Sequence, residues 1–178
     1  MPAEWLNLTT HRLDIYTERL AKVEFLEQFE VLFKDNNFKL SALNELPTAY
    51  DYIRLGHPLS CLLEWVIANL NNLQPKNVIS FSSKTMAILA ILRKNLLDHK
   101  STQIIYTDEL PHFFDVDVLQ RIYGYKFDVK KVEKAEDIAV FDGSTIFIAE
   151  QDEMATINLN PNIDFFINIH AHFGSVLL

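Results

Sequence analysis

Apolar residues at Leu13, Tyr16, Leu20, Val23, Leu26, Phe29 and Phe33 recur every three or four positions with Glu and Lys between them, which predicts an amphipathic helix over 10–33. Its wide apolar face suits a surface or an interface. "KDNNFKL" ends that periodicity, and "NELPTAYDYIRLGHP" reads as a linker, because its prolines and glycine interrupt regular helix. From Pro58 onward helical and strand-like patterns alternate: a helix over 58–73, a strand over 78–81, a helix over 84–97, a strand over 103–107, a helix over 115–123 closed by Gly124, and a strand over 126–132. This is the βαβ rhythm of a parallel sheet with helices on its faces. The expected fold class is therefore α/β, with a mostly parallel sheet of five or more strands and helices on both faces. Residues 1–46 form an N-terminal helix and linker, and 47–178 the α/β domain.

Within that rhythm "TMAILAILRKNLL" is apolar on nearly every side, so this helix is expected to be the buried one, packed flat on the sheet. Further on, "DIAVFDGSTIFIAE" sets Asp142-Gly143 between two apolar runs, which fits a hairpin and equally a helix, loop and strand. "DFFINIHAHF" alternates: Ile167, Ile169, Ala171 and Phe173 fall on one face, and Asn168, His170 and His172 on the other.

Composition narrows the function classes. With 178 residues, 49% of them apolar and 22% charged, the chain is the size of one globular domain. Its apolar runs fall short of the roughly 18 residues a membrane span needs. The N-terminus lacks the basic-then-apolar pattern of a secretory signal, so a cytoplasmic location and no membrane partner are expected. Cys61 is the single cysteine, which excludes an internal disulfide and a cysteine-based zinc site; beside Leu62 and Leu63 it reads as a buried small hydrophobe. A net charge of −8 argues against a nucleic-acid partner, and "VKK" with Lys134 reads as a solvated strand end.

Two stretches carry candidate chemistry. In "ISFSSKT" a strand, a small-residue turn and a helix follow directly, and the free N–H groups of a helix's first turn favour a phosphate there. A nucleotide P-loop would need glycines where Val78 and Ser83 stand. Ser83 equally suits a plain helix cap. His170 and His172, about 7 Å apart along a strand, could offer two imidazoles to a metal with Asp164 on the same face. No third ligand is evident, so no metal is expected and hydrogen-bonded histidines at a sheet end are the simpler reading.

The order of these stretches resembles the fold-type-I pyridoxal-phosphate enzymes of cysteine and methionine metabolism, the cystathionine synthase and lyase group. Their signature runs Y-x-R-x-G-N-P-T, then L-E, then F-S-S-G-M-A-A-I. Tyr52, Arg54, Gly56 and Pro58 fall on the first motif, Leu63 and Glu64 on the second, and Phe81, Ser82, Ser83, Ala87 and Ile88 on the third. "IIYTDELPHFFDVDVLQRIYGYKFDVKKVE" is similar to the family's second strand, D-D-L-Y turn, helix and third strand, with Asp108 and Leu110 in register. "IAEQDEMATINLNP" puts Glu150 on the aspartate that pairs with the pyridine nitrogen, and "DFFINIHAHF" lies on D-I-V-V-H-S-A-T-K-Y, with Asp164 and Phe173 matching and His172 in the lysine position. A rival alignment lays "IHAHFGSVLL" on the helix and strand before the aspartate.

The resemblance implies a truncated pyridoxal-phosphate-transferase-like large domain in a homodimer. Tyr52 and Arg54 would reach the cofactor phosphate of the other subunit, and the turn of Ser82, Ser83 and Lys84 would give it backbone N–H groups. The departures are in the chemistry: His172 replaces the Schiff-base lysine, Pro111 the ring-stacking tyrosine, Lys84 the phosphate-loop glycine, and Ile169 and Ala171 a serine and a threonine. The E-S-P-T-N-P segment is shortened, and the family's C-terminal substrate domain has no counterpart. The expected function is thus that of a non-catalytic, degenerate homologue, a homodimeric binding or structural protein with room for a protein partner, no resident cofactor and a residual phosphate or pyridoxal-phosphate site. The alternative is an enzyme or binding protein that holds pyridoxal phosphate non-covalently, with His172 as its base. A third reading is a divergent α/β domain whose motif match is coincidental.

Overall fold

The computed structural model describes residues 18–47, 57–151, 157 and 160–178, which form two compact units meeting in sequence between Val66 and Ile67. The first unit holds helix α1 (Glu18–Lys34), the short α2 (Leu40–Asn44) and most of α3 (Pro58–Leu70). Residues 10–17 of the expected first helix lie outside the described residues. Helix α1 stops where the pattern does, with Asn36 in the left-handed region at φ 53°, a conformation asparagine tolerates. Phe25, Leu26 and Cys61 are buried together, joined by Leu46, Leu62 and Trp65. The rings of Phe29 and Phe33 meet Trp65 edge-on at 5.5 and 5.4 Å, and the Trp65 indole N–H donates to Glu30 at 2.7 Å. Glu64, buried at the same seam, pairs with Lys22. Cys61 is 1% exposed, as its apolar neighbours suggest.

Helix α3 ends three residues before its expected limit. Asn72 takes φ 54° and the Leu73 N–H turns back to the Ala68 carbonyl at 2.8 Å, so an asparagine closes the helix in the position usually given to glycine.

The second unit is an α/β sheet: β1 (Ile79–Phe81), α4 (Met86–Leu97), β2 (Thr102–Tyr106), α5 (Val116–Arg121), β3 (Phe127–Lys131), β4 (Ser144–Glu150), β5 (Phe165–Ile169) and β6 (Ser175–Leu177). The six strands lie in the order β1-β6-β5-β4-β2-β3. Strand β6 is antiparallel to both neighbours and the remaining pairs are parallel, so five strands share one direction.

Period-two alternation sorts the sheet's side chains into two cores. Ile104, Ile146, Ile148, Ile167, Ile169 and Leu177 meet Ile88, Ile91 and Leu92 of α4 and Leu119 of α5 on one face. Ile105, Phe147, Ala149 and Phe166 pack on the other face with Ile138, and the last turn of α3 adds Ile67 and Ala68 beside Val78 and Val176. Central strand β4 is buried at six of seven positions, whereas edge strand β3 buries only Phe127 and leaves Lys130 and Lys131 in water, the solvated end expected of "VKK".

Three expectations are corrected. Helix α4 is not buried all round: Ala87, Ile88, Ile91, Leu92 and Asn95 face the core, while Met86, Leu96 and Leu97 are 41–71% exposed. Of the two readings of the Asp142-Gly143 stretch, the hairpin fails and the helix, loop and strand holds. A single 3₁₀ turn at Ala135–Asp137 leads to a loop, and β4 pairs parallel to β2, because Ile138 drops into the second core instead of pairing. The alternation of "DFFINIHAHF" outruns its strand, since β5 stops at Ile169 and the chain turns back into β6. No helix among the described residues is long and apolar enough to cross a membrane.

Candidate anion site at the carboxyl edge of the sheet

Strands β1, β2, β4 and β5 point the same way, so their carboxyl ends lie along one edge of the sheet. In open α/β sheets ligands bind outside those ends. The stretches that arrive there include Ser82-Ser83-Lys84 after β1, Thr107-Asp108 after β2, Val132-Glu133 after β3, Glu150-Gln151 at the end of β4, and 170–174 after β5. The strand order reverses between β2 and β4, because β3 and β4 lie on opposite sides of β2.

The turn between β1 and α4 is built by its own serine. The Ser83 hydroxyl oxygen accepts the N–H groups of Thr85 at 3.2 Å and Met86 at 3.3 Å, satisfying two donors at the helix start. The Ser83 carbonyl accepts the Ser175 hydroxyl at 2.7 Å. Among the described residues the N–H groups of Ser83 and Lys84 meet no acceptor. Ser83 thus serves as the expected helix cap, while its own N–H and that of Lys84 stay outside that arrangement.

Lys84 reaches across the edge, donating from Nζ to the Ala171 carbonyl at 2.5 Å. The loop that receives it is tight. The His170 N–H donates to the Gly174 carbonyl at 3.1 Å, and the His172 N–H donates to His170 Nδ1 at 3.1 Å. A methyl group on Gly174 would stand 1.8 Å from the Phe81 carbonyl oxygen, so the loop lies directly on the end of β1 and only glycine fits.

The expected site residues divide. Ser82, Ser83, Lys84, Glu150 and His172 all lie on this edge, with Ser82, Glu150 and His172 exposed. Tyr52 and Arg54 lie outside the described residues. Asn168 does not join the histidines: its side chain is buried, accepting the Gln151 N–H and donating to the Gln151 carbonyl, each at 3.0 Å. Nor can Asp164 share a metal with them. It sits at the amino end of β5, roughly 20 Å of strand from His170, and accepts the Thr145 N–H at 2.8 Å. No group of three His, Cys, Asp or Glu among the described residues could hold a metal.

The residues suit one part of pyridoxal phosphate and not the rest. The amides of Ser83 and Lys84 suit an oxyanion. Pro111 is buried and starts a turn through its carbonyl to the Phe114 N–H, offering no ring to stack. Ile169 is 3% exposed and belongs to the core, offering no hydroxyl to the edge. The amine that reaches this loop, that of Lys84, is held by a backbone carbonyl. Sequence reasoning missed the Lys84 to Ala171 and Ser175 to Ser83 contacts, which join residues 87 and 92 positions apart. Glycine followed by serine after an alternating run was the available hint of a tight reversal. Comparison with known proteins finds no matching family model, no matching curated sequence and no matching solved structure.

Proposed function

We propose that the chain is a non-catalytic, degenerate relative of the pyridoxal-phosphate enzymes of cysteine and methionine metabolism, a dimeric scaffold that keeps an oxyanion-holding turn and has lost the aldimine chemistry. One observation supports this reading: Ser82, Ser83, Lys84, Glu150 and His172 all lie along a single edge of one sheet. In the alignment that the resemblance suggests, histidine takes the place of the Schiff-base lysine. An aldimine needs a free amine able to attack an aldehyde. Imidazole cannot form a stable one, and the Lys84 ammonium is committed to Ala171.

Titration of inorganic phosphate and of pyridoxal phosphate into isotope-labelled protein tests the reading. Phosphate should shift the backbone amide signals of Ser83 and Lys84, and Lys84→Glu should abolish the shift; pyridoxal phosphate should act through the same amides without a change in its absorbance band. Absence of any shift at those amides overturns the anion site. A displaced cofactor band lost in His172→Ala would favour the non-covalent cofactor alternative instead.

A further inference from the structure

Asn95 is the one polar residue that α4 buries, beside Ala87, Ile88, Ile91 and Leu92, and it is 1% exposed. Buried polar atoms normally have hydrogen-bond partners. The Asn95 amide nitrogen has one, donating to the Thr102 hydroxyl oxygen at 2.9 Å, whereas its amide oxygen has none among the described residues. Ser144 is 2% exposed, and its hydroxyl likewise meets no partner there.

The two unpartnered groups belong to one place. Thr102 and Ser144 are register partners at the amino ends of the parallel strands β2 and β4, about 4.8 Å apart. Their side chains leave the sheet on the face of Ile104 and Ile146, on which α4 packs. The next register pair, on the opposite face, shows that partners at this spacing reach each other: Gln103 donates from its side chain to the Thr145 hydroxyl at 2.9 Å. Thr102 thus stands between the two groups, bonded to Asn95 and flanked by Ser144. Turning the Asn95 amide over would exchange its oxygen and nitrogen and still leave one of them without a partner.

We infer that these groups bind a single internal water molecule, held by the Asn95 amide oxygen and the hydroxyls of Ser144 and Thr102. The inventory of donors and acceptors selects that ligand. Asn95 Oδ1 only accepts, so the water donates one hydrogen to it, and the Ser144 hydroxyl takes the other. The Thr102 hydroxyl oxygen accepts from Asn95 and has its own hydrogen to give to the water oxygen. Three bonds are the usual complement of an internal water. None of the three groups carries a charge to balance an ion, and a metal takes more ligands than three. Thr102 is 3% exposed, as secluded as the other two, so this water exchanges with bulk solvent only when the surrounding structure opens. It ties the end of α4 to the starts of β2 and β4. Backbone bonds converge on the same junction, where the Asn95 carbonyl accepts the Lys100 N–H at 2.9 Å and the Ser101 carbonyl accepts the Ser144 N–H at 2.8 Å. The site lies at the amino ends of the strands, away from the anion turn at their carboxyl ends, and does not depend on the proposed function.

Two measurements on the full chain test the site. A high-resolution crystal structure should place one ordered water within hydrogen-bond reach of Asn95 Oδ1, Ser144 Oγ and Thr102 Oγ1. In solution, the Asn95 side-chain amide protons should show a rotating-frame cross-peak to water, of the sign that marks proximity and not hydrogen exchange. Ser144→Val, which sets methyl groups where the hydroxyl stood, should abolish that cross-peak while circular dichroism stays unchanged. The native protein carries the first two readouts, so they decide the matter even where the variant fails to fold. A direct hydrogen bond between Asn95 and Ser144 with no water at the three atoms overturns the proposal. So does a cross-peak that survives in folded Ser144→Val.

Discussion

Asp98 closes α4 one turn after Lys94, whose ammonium donates to its carboxylate at 2.5 Å, and the hydrogen bond and the charge of Lys94 together hold the Asp98 carboxyl below its ordinary 3.8. A carboxylate with a depressed pKa stabilises the folded chain above the unfolded value, and that contribution disappears as pH falls through the folded one. Replacing Asp98 by Asn should therefore lower the thermal midpoint slightly at neutral pH. The gap from wild type should close in acid below 3.8. Both side chains are exposed to solvent, so high salt should shrink the difference as well. A difference that persists at low pH or in high salt would contradict the ion-pair account. Among the edge residues, Lys84 shows why residue identity alone misleads: a cation at the start of a helix suggests a ligand contact, yet its side chain ties the turn after β1 to the loop after β5.

At the scale of elements, the start of α4 depends on one hydroxyl. Ser83→Ala removes the acceptor for the Thr85 and Met86 amides, and loss of such a cap costs about 0.5–2 kcal/mol. Chemical denaturation should register that loss, and amide exchange should quicken at residues 85–89 first. An unchanged midpoint would mean that the cap is redundant. The alternating elements from Pro58 to Lys131 were legible in the sequence because their periodicities are local, and each appears within a few residues of its expected limits. What was not legible depended on distant partners. Ile138 leaves the predicted hairpin for a core that residues far along the chain complete, and Asn168 turns inward because Gln151, across a parallel pair, offers both a donor and an acceptor. The edge shared by Ser83, Glu150 and His172 followed from parallel strands. The Lys84 strut did not, because it joins residues 87 positions apart.

In the whole molecule, the scaffold and the candidate chemistry are distinct. An α/β unit with two sheet-face cores supports the turn after β1; Ile169 lies in the first of those cores, and Pro111 is buried at the start of a turn. On the proposed function, the absence of a stacking ring and a hydroxyl removes contacts worth on the order of a few kcal/mol, so pyridoxal phosphate would be held by its phosphate alone. The most direct test is to mix the purified chain with equimolar pyridoxal phosphate, reduce with borohydride and record the intact mass. The account predicts the unmodified mass. A stoichiometric adduct of one cofactor mapping to a single lysine, Lys84 above all, would contradict it.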